Sequence, residues 1–144
     1  MWWPGPSWTT WYEAHNSPGT TETGTLWALA EGESGGSRGV ETYILIANTS
    51  PSAGQVKVTL LFEEGTPATA EATFTVLANS RRTIYPPLDF AGAVPAGSHR
   101  RYGVLLESLG TTPAQIVVER AMYSNDMAGV TWAAGTNAVA TKLR

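Results

Sequence analysis

Apolar and polar positions alternate through the middle of the chain. Val56, Val58, Leu60 and Phe62 alternate with Gln55, Lys57, Thr59 and Glu63. A period of two puts one set on a buried face and the other in solvent, which predicts a half-buried strand. Glu64-Gly65-Thr66-Pro67 follows as a turn cluster. Ala70, Ala72, Phe74 and Val76 then alternate with Thr69, Glu71, Thr73 and Thr75. Two alternating runs around a short Gly/Pro turn predict an antiparallel hairpin.

Other runs are apolar on both faces. Tyr43-Ile44-Leu45-Ile46-Ala47 predicts a central strand covered on both sides, stopped by Asn48-Thr49-Ser50-Pro51. Leu26–Ala30 and Arg81–Tyr85 read as strands, the second closed by Pro86-Pro87. Tyr102–Leu106 and Gln115–Tyr123 flank the turn residues Gly110-Thr111-Thr112-Pro113, and Val130–Ala133 and Ala138–Leu143 read as short closing strands. No stretch shows a helical period. About seven to nine short strands at roughly ten-residue spacing predict an all-β, antiparallel, immunoglobulin-like β-sandwich, with a closed barrel as the alternative.

The strand Gln115–Tyr123 carries a conflict. One face reads Ile116, Val118, Arg120, Met122 and the other Val117, Glu119, Ala121, Tyr123. Whichever face is buried takes a charge with it, and a buried charge needs a partner. Glu31, at the end of Leu26–Ala30, is the candidate for Arg120. Arg81 or Arg82 is the candidate for Glu119. A fold-fixing ion pair and a ligand-binding carboxylate are the two readings of such a pair.

Composition narrows the classes. The 144 residues include no cysteine, which excludes disulfides, thiolate metal sites and thiol catalysis together. Two lysines and a net charge of −3 argue against a phosphate-binding surface, so no nucleic-acid partner is expected. No apolar run approaches the ~20 residues of a membrane span. Charged residues make up 15% of the chain, below the ~25% usual in globular domains, which suits short strands and turns. Met1-Trp2-Trp3-Pro4 does not open a secretory leader. The expectation is therefore a mature or excised piece of a longer precursor rather than a cytosolic protein.

Residues 1–23 differ from the sandwich proper, residues 24–144. Trp2, Trp3, Trp8 and Trp11 fall within the first eleven residues, joined by Tyr12 and broken by Pro4 and Pro6. The prolines forbid a helix and favour an extended arm. Three readings compete. The arm covers its own sandwich, it pairs with the sheet edge of another subunit and so builds a filament, or its rings bind sugar.

Candidate chemistry is sparse. His15 and His99 stand in predicted loops with no nucleophile and carboxylate at recognisable spacing. Glu63-Glu64 and Asp126 form no glycosidase pair or calcium loop, and Gly35-Gly36-Ser37 reads as a turn rather than a phosphate cradle. His99-Arg100-Arg101-Tyr102 is a small basic cluster, either a solvated turn or a dock for an acidic patch. No enzyme, no metal and no cofactor are expected.

Four segments carry a resemblance. Trp27-Ala28-Leu29-Ala30-Glu31-Gly32 looks like the W-x-x-A-E-G opening of a bacterial β-sandwich domain found in tandem on large exported proteins. Tyr43-Ile44-Leu45-Ile46-Ala47-Asn48, Ala78-Asn79-Ser80-Arg81-Arg82-Thr83-Ile84 and Val118-Glu119-Arg120-Ala121-Met122-Tyr123 resemble its later strands in order, over Leu26 to Leu143. Thr49-Ser50-Pro51 departs from that pattern at one turn. The resemblance implies a non-catalytic structural or adhesive module at the cell surface or outside the cell. Self-association or sister domains are the expected partners, with a glycan as the alternative. The arm residues Trp2, Trp3, Trp8, Trp11 and Tyr12 are the expected contact set.

Overall fold

A computed structural model describes residues 2–4, 11–126 and 130–144, with side chains described from residue 15 onward. In chain order the elements are β1 (Trp2–Pro4), β2 (Trp11–Ala14), β3 (Leu26–Ser34), β4 (Glu41–Asn48), β5 (Gly54–Phe62), β6 (Thr69–Val76) and β7 (Ser80–Ile84). They continue with α1 (Pro86–Asp89), β8 (Arg100–Leu109), β9 (Ile116–Ser124), β10 (Ala134–Val139) and β11 (Thr141–Lys142).

Two antiparallel sheets face each other, in the orders β10-β9-β4-β7 and β11-β3-β8-β5-β6. The chain is an all-β sandwich of the expected class. β4 pairs with β7 in one sheet and β5 with β8 in the other, as the four central strands of an immunoglobulin sandwich do. The terminal strands are exchanged relative to that plan. The first long strand, β3, lies beside β8, and the last, β9, lies beside β4.

The expected hairpin is β5–β6, with Val58 opposite Ala72 and Leu60 opposite Ala70. Val56, Val58 and Leu60 are fully buried, facing Ile44, Ile46, Ile116 and Val118 of the other sheet. Trp27 is 1% exposed in the same core. Burying a ring of 150–250 Å² at ~25 cal/mol per Å² contributes about 4–6 kcal/mol, which matters in a chain with no disulfide. The stop after β4 is built by Asn48, whose carboxamide donates to the carbonyls of Ser52, Val76 and Leu77 and accepts from the Ser50 amide.

Three expectations need correction. β4 is not covered on both faces. Ile44 and Ile46 are buried, but Tyr43, Leu45 and Ala47 are only half-buried on an outer face. Val130–Ala133 is a turn rather than a strand, because Trp132 takes a left-handed backbone (φ 54°) that no strand accommodates. Ala138–Leu143 is not one strand. It is split between the two sheets at Ala140, whose amide donates to the Val118 carbonyl as the chain crosses from β10 to β11.

The arm is anchored on its own chain where it is described. Trp2–Pro4 pairs with Trp11–Ala14. The His15 ring meets the Asn137 carbonyl at 3.0 Å, and the Asn137 carboxamide donates to Ser17 Oγ at 3.0 Å. Gly24 bridges to Ile116. No helix among the described residues is long and apolar enough to cross a membrane.

Candidate functional site: an aromatic face on the four-stranded sheet

Strand pairing assembles an aromatic surface that no single segment shows. Glu41 and Tyr43 project from alternate positions of β4 onto the outer face. The register sets Glu41 opposite Tyr123 of β9 and Tyr43 opposite Ala121. Tyr85 leaves the end of β7, where α1 begins at Pro86 and Pro87 without losing a needed donor. The Asp89 carboxylate accepts the Tyr85 amide at 2.7 Å and holds this turn.

Two stacked pairs stand almost at right angles. Tyr43 stacks on Tyr85 with centroids 4.9 Å apart, and Tyr123 on Trp132 at 4.6 Å. Tyr43 meets Tyr123 and Trp132 edge to face at 6.0 and 6.4 Å. Glu41 ties the pairs together. Its Oε2 accepts from the Tyr43 hydroxyl (2.7 Å) and the Trp132 indole (3.1 Å), and its Oε1 accepts from Asn125 Nδ2 (3.1 Å). Asn125 Oδ1 also accepts the Trp132 amide at 2.6 Å. Trp132 is thus pinned in a left-handed conformation by two side chains, yet 42% of it is exposed. A left-handed backbone on a bulky residue persists only where its surroundings over-determine it.

Burial raises the Tyr43 hydroxyl above the usual phenol range, and the hydrogen bond and charge of Glu41 push it further. Tyr85 is raised by burial and then by Glu41, and Tyr123 by burial and then by Glu119. All three therefore stay neutral donors at physiological pH. Beyond Tyr85 a groove of about 390 Å³ continues between Val40, Pro87, Leu88 and Pro95. Leu88 is 76% exposed there.

A second, charged cleft of about 560 Å³ lies at the β3–β8 end. A bulge in β3 between Leu29 and Gly32 interrupts its pairing with β8 at Ala30 and Glu31. Arg120 Nη1 donates to Glu31 Oε2 at 2.7 Å and to the Glu31 carbonyl at 3.2 Å. The neighbouring Glu33 side chain, 10% exposed, gathers Arg38 (3.2 Å), His99 (3.2 Å) and Arg101 (3.7 Å). The basic segment after Ser98 therefore divides. His99 and Arg101 serve Glu33, Arg100 lies 4.1 Å over the Phe62 ring, and Tyr102 is buried.

The structure brings Arg120 and Glu31 together but not Glu119 and Arg81. Glu119 Oε1 accepts from Asn137 Nδ2 at 2.7 Å on the adjacent strand β10. Arg81 is exposed on β7, two strand spacings (roughly 10 Å) away and out of register by two residues. Arg82 is engaged elsewhere, 3.8 Å from Asp89 and 4.7 Å over Phe74. The side chains of Trp2, Trp3, Trp8, Trp11 and Tyr12 lie outside the described residues. Sequence reasoning missed Tyr43, Tyr85, Tyr123, Trp132 and Glu41 as a group. The one available signal was Glu41 and Tyr43 alternating with buried Thr42 and Ile44.

No protein-family model matches this chain, and no curated protein matches it. Among solved structures, the crystal structure of Thermotoga maritima 1070 aligns over 83% of this chain and 94% of its own, with a TM-score of 0.62 and 18% identity. The Anabaena sensory rhodopsin transducer aligns over 69% of this chain and 97% of its own, with a TM-score of 0.49 and 20% identity. The first likeness shows a shared sandwich fold and nothing further.

Proposed function

We propose that this chain is a non-catalytic interaction module of a bacterial-type extracellular or surface assembly. In this reading it docks onto sister copies through the outer face of its four-stranded sheet. The observation that carries it is Trp132, a large ring held in a left-handed backbone by Asn125 and Glu41 and left open to solvent beside three tyrosines. Tryptophan and tyrosine, rigid and amphipathic, dominate the energetics of protein interfaces. A contact between this face and a different surface of the next copy is heterologous, and repetition of such a contact builds a filament. The surface context rests on the resemblance of the four sequence segments to exported tandem domains.

The test is sedimentation velocity of the full chain over a wide concentration range, comparing wild type with Trp132→Asn. Asparagine tolerates the left-handed backbone, so the variant removes the ring without straining the turn. Wild type should associate, and the variant should weaken association at least about tenfold, since losing an interface tryptophan costs roughly 2 kcal/mol or more. A wild-type chain that stays monomeric throughout, or association unchanged in the variant, refutes the reading. The carboxylate and carboxamide of Glu41 and Asn125 beside the rings favour a second reading, a glycan platform. Saturable changes in tryptophan fluorescence with maltose or chitin fragments, absent in Trp132→Asn, would select it.

A further inference from the structure

We propose that Trp132 and Glu41 form a receptor for an arginine side chain carried by the partner polypeptide. This names the chemistry recognised by the docking face proposed above and rests on that reading. Three observations carry it.

The first is charge. Among the described residues, Glu22, Glu31, Glu33, Glu63, Glu107 and Asp89 each lie within 4.0 Å of a cationic side chain, whereas Glu41, Glu64, Glu71, Glu119 and Asp126 do not. Glu41 is half-buried, and its hydrogen-bond partners are the neutral donors Tyr43, Trp132 and Asn125. Glu119, on the same face, is likewise held by neutral Asn137. Ring faces carry the negative end of the aromatic quadrupole, so the rings and carboxylates together attract a cation.

The second is valence. A carboxylate offers about four lone-pair positions. Tyr43 and Trp132 take two on Oε2 and Asn125 takes one on Oε1, which leaves one acceptor position on Oε1 of the carboxylate that holds the indole. One face of that indole is stacked on Tyr123, and Trp132 as a residue is still 42% exposed.

The third is a completed version of the same constellation elsewhere in the chain. The Arg82 guanidinium lies 4.7 Å over the Phe74 ring while its Nη2 stands 3.8 Å from Asp89. The Trp132–Glu41 corner has the ring and the carboxylate without the guanidinium. Arginine suits it better than lysine, because a planar, weakly hydrated guanidinium stacks on a ring while donating in plane.

The test uses the full chain and acetyl-Gly-Arg-Gly-amide, followed through the Trp132 indole N–H resonance. That resonance is assigned by its loss in Trp132→Asn. The arginine peptide should shift it saturably, with a Kd of about 0.1–10 mM, typical of one exposed cation–ring contact with one carboxylate. Added salt should weaken the shift. The same peptide with neutral citrulline, matched in shape, should bind about fivefold more weakly or worse, since it loses both the ring and the carboxylate attraction, and Glu41→Gln should lose about twofold to fivefold. A flat arginine titration, or equal shifts from the arginine and citrulline peptides, overturns the proposal without any variant having to fold. A response to maltose in place of the peptide overturns it in favour of the glycan platform. Association lost in Trp132→Asn with a flat peptide titration removes the arginine assignment alone. Association untouched by that variant removes the docking reading beneath it.

Discussion

Removing the Glu31 carboxylate should destabilise the fold more than removing the Arg120 charge. The Arg120 side chain is 9% exposed and that of Glu31 is 73% exposed. In Glu31→Ala the guanidinium keeps the Glu31 carbonyl at 3.2 Å and loses the one carboxylate it meets among the described residues, where its Nε also lacks a partner. Breaking a fully buried pair costs about 3–5 kcal/mol. Here Glu31 stands mostly in water, so solvent screens the loss. The expected cost falls to that of a charge-assisted hydrogen bond, about 1.5–3 kcal/mol. At about 2–4 °C per kcal/mol for a domain near this size, Tm should fall by about 3–12 °C. Arg120→Met keeps the apolar volume of the stem and removes both the charge and its unpaired nitrogen. Glu31 is then left where water already reaches it, so stability should stay within about 1 kcal/mol of wild type or rise. The double variant should recover most of the Glu31→Ala loss, because the stranded charge is gone. Scanning calorimetry with urea unfolding reads all three. A Tm for Glu31→Ala within a degree of wild type, or an Arg120→Met loss larger than the Glu31→Ala loss, would refute the reasoning.

Two further outcomes follow from the packing. A Cβ at Gly32 would stand 2.5 Å from Cε2 of the buried Tyr102 ring. Gly32→Ala should therefore cost about 1–3 kcal/mol by overpacking, read as a lower urea midpoint, and a neutral result would mean that β3 can shift off the ring. Tyr43, Tyr85, Tyr102 and Tyr123 all have hydroxyl pKa values raised by burial above the ordinary 10.0. The unfolded chain releases those protons first, so their stabilisation is complete below pH 10 and declines as pH rises through the higher folded values. Tyrosinate absorbance should show ionisation delayed until unfolding. A single ordinary phenol transition near pH 10, with stability flat across it, would contradict this.

The charged pairs show how far a linear reading reaches. Arg120 with Glu31 was legible, because a cation inside an apolar strand has to find an anion and the Leu26–Ala30 run delivers Glu31, although Glu31 sits at a bulge inside β3 rather than at a strand end. The partner of Glu119 was not. Its choice depended on β10 lying beside β9, and neighbouring strands are named by hydrogen-bond pairing rather than by alternation. Asn137, one strand spacing away, displaced Arg81 at two. Trp132 belongs to the same class. It read as part of a strand because Val130-Thr131-Trp132-Ala133 has strand composition, and only the Asn125 and Glu41 contacts reveal the turn.

By itself the sequence determined the β5–β6 hairpin with its buried face and the all-β antiparallel sandwich, because period-two alternation records which side of a strand is dry. It also determined that the core must supply the stability, since there is no cysteine to cross-link it. Tertiary structure alone decided the exchanged terminal strands and the aromatic surface on the four-stranded sheet. Tyr43, Tyr85, Tyr123 and Trp132 come from four segments scattered over ninety residues. Register and one left-handed turn link them through ring contacts of 4.6–6.4 Å, with Tyr43 touching the other three. Local pattern encodes burial, which each strand carries in its own residues, whereas a surface shared by several strands is a property of which strands become neighbours.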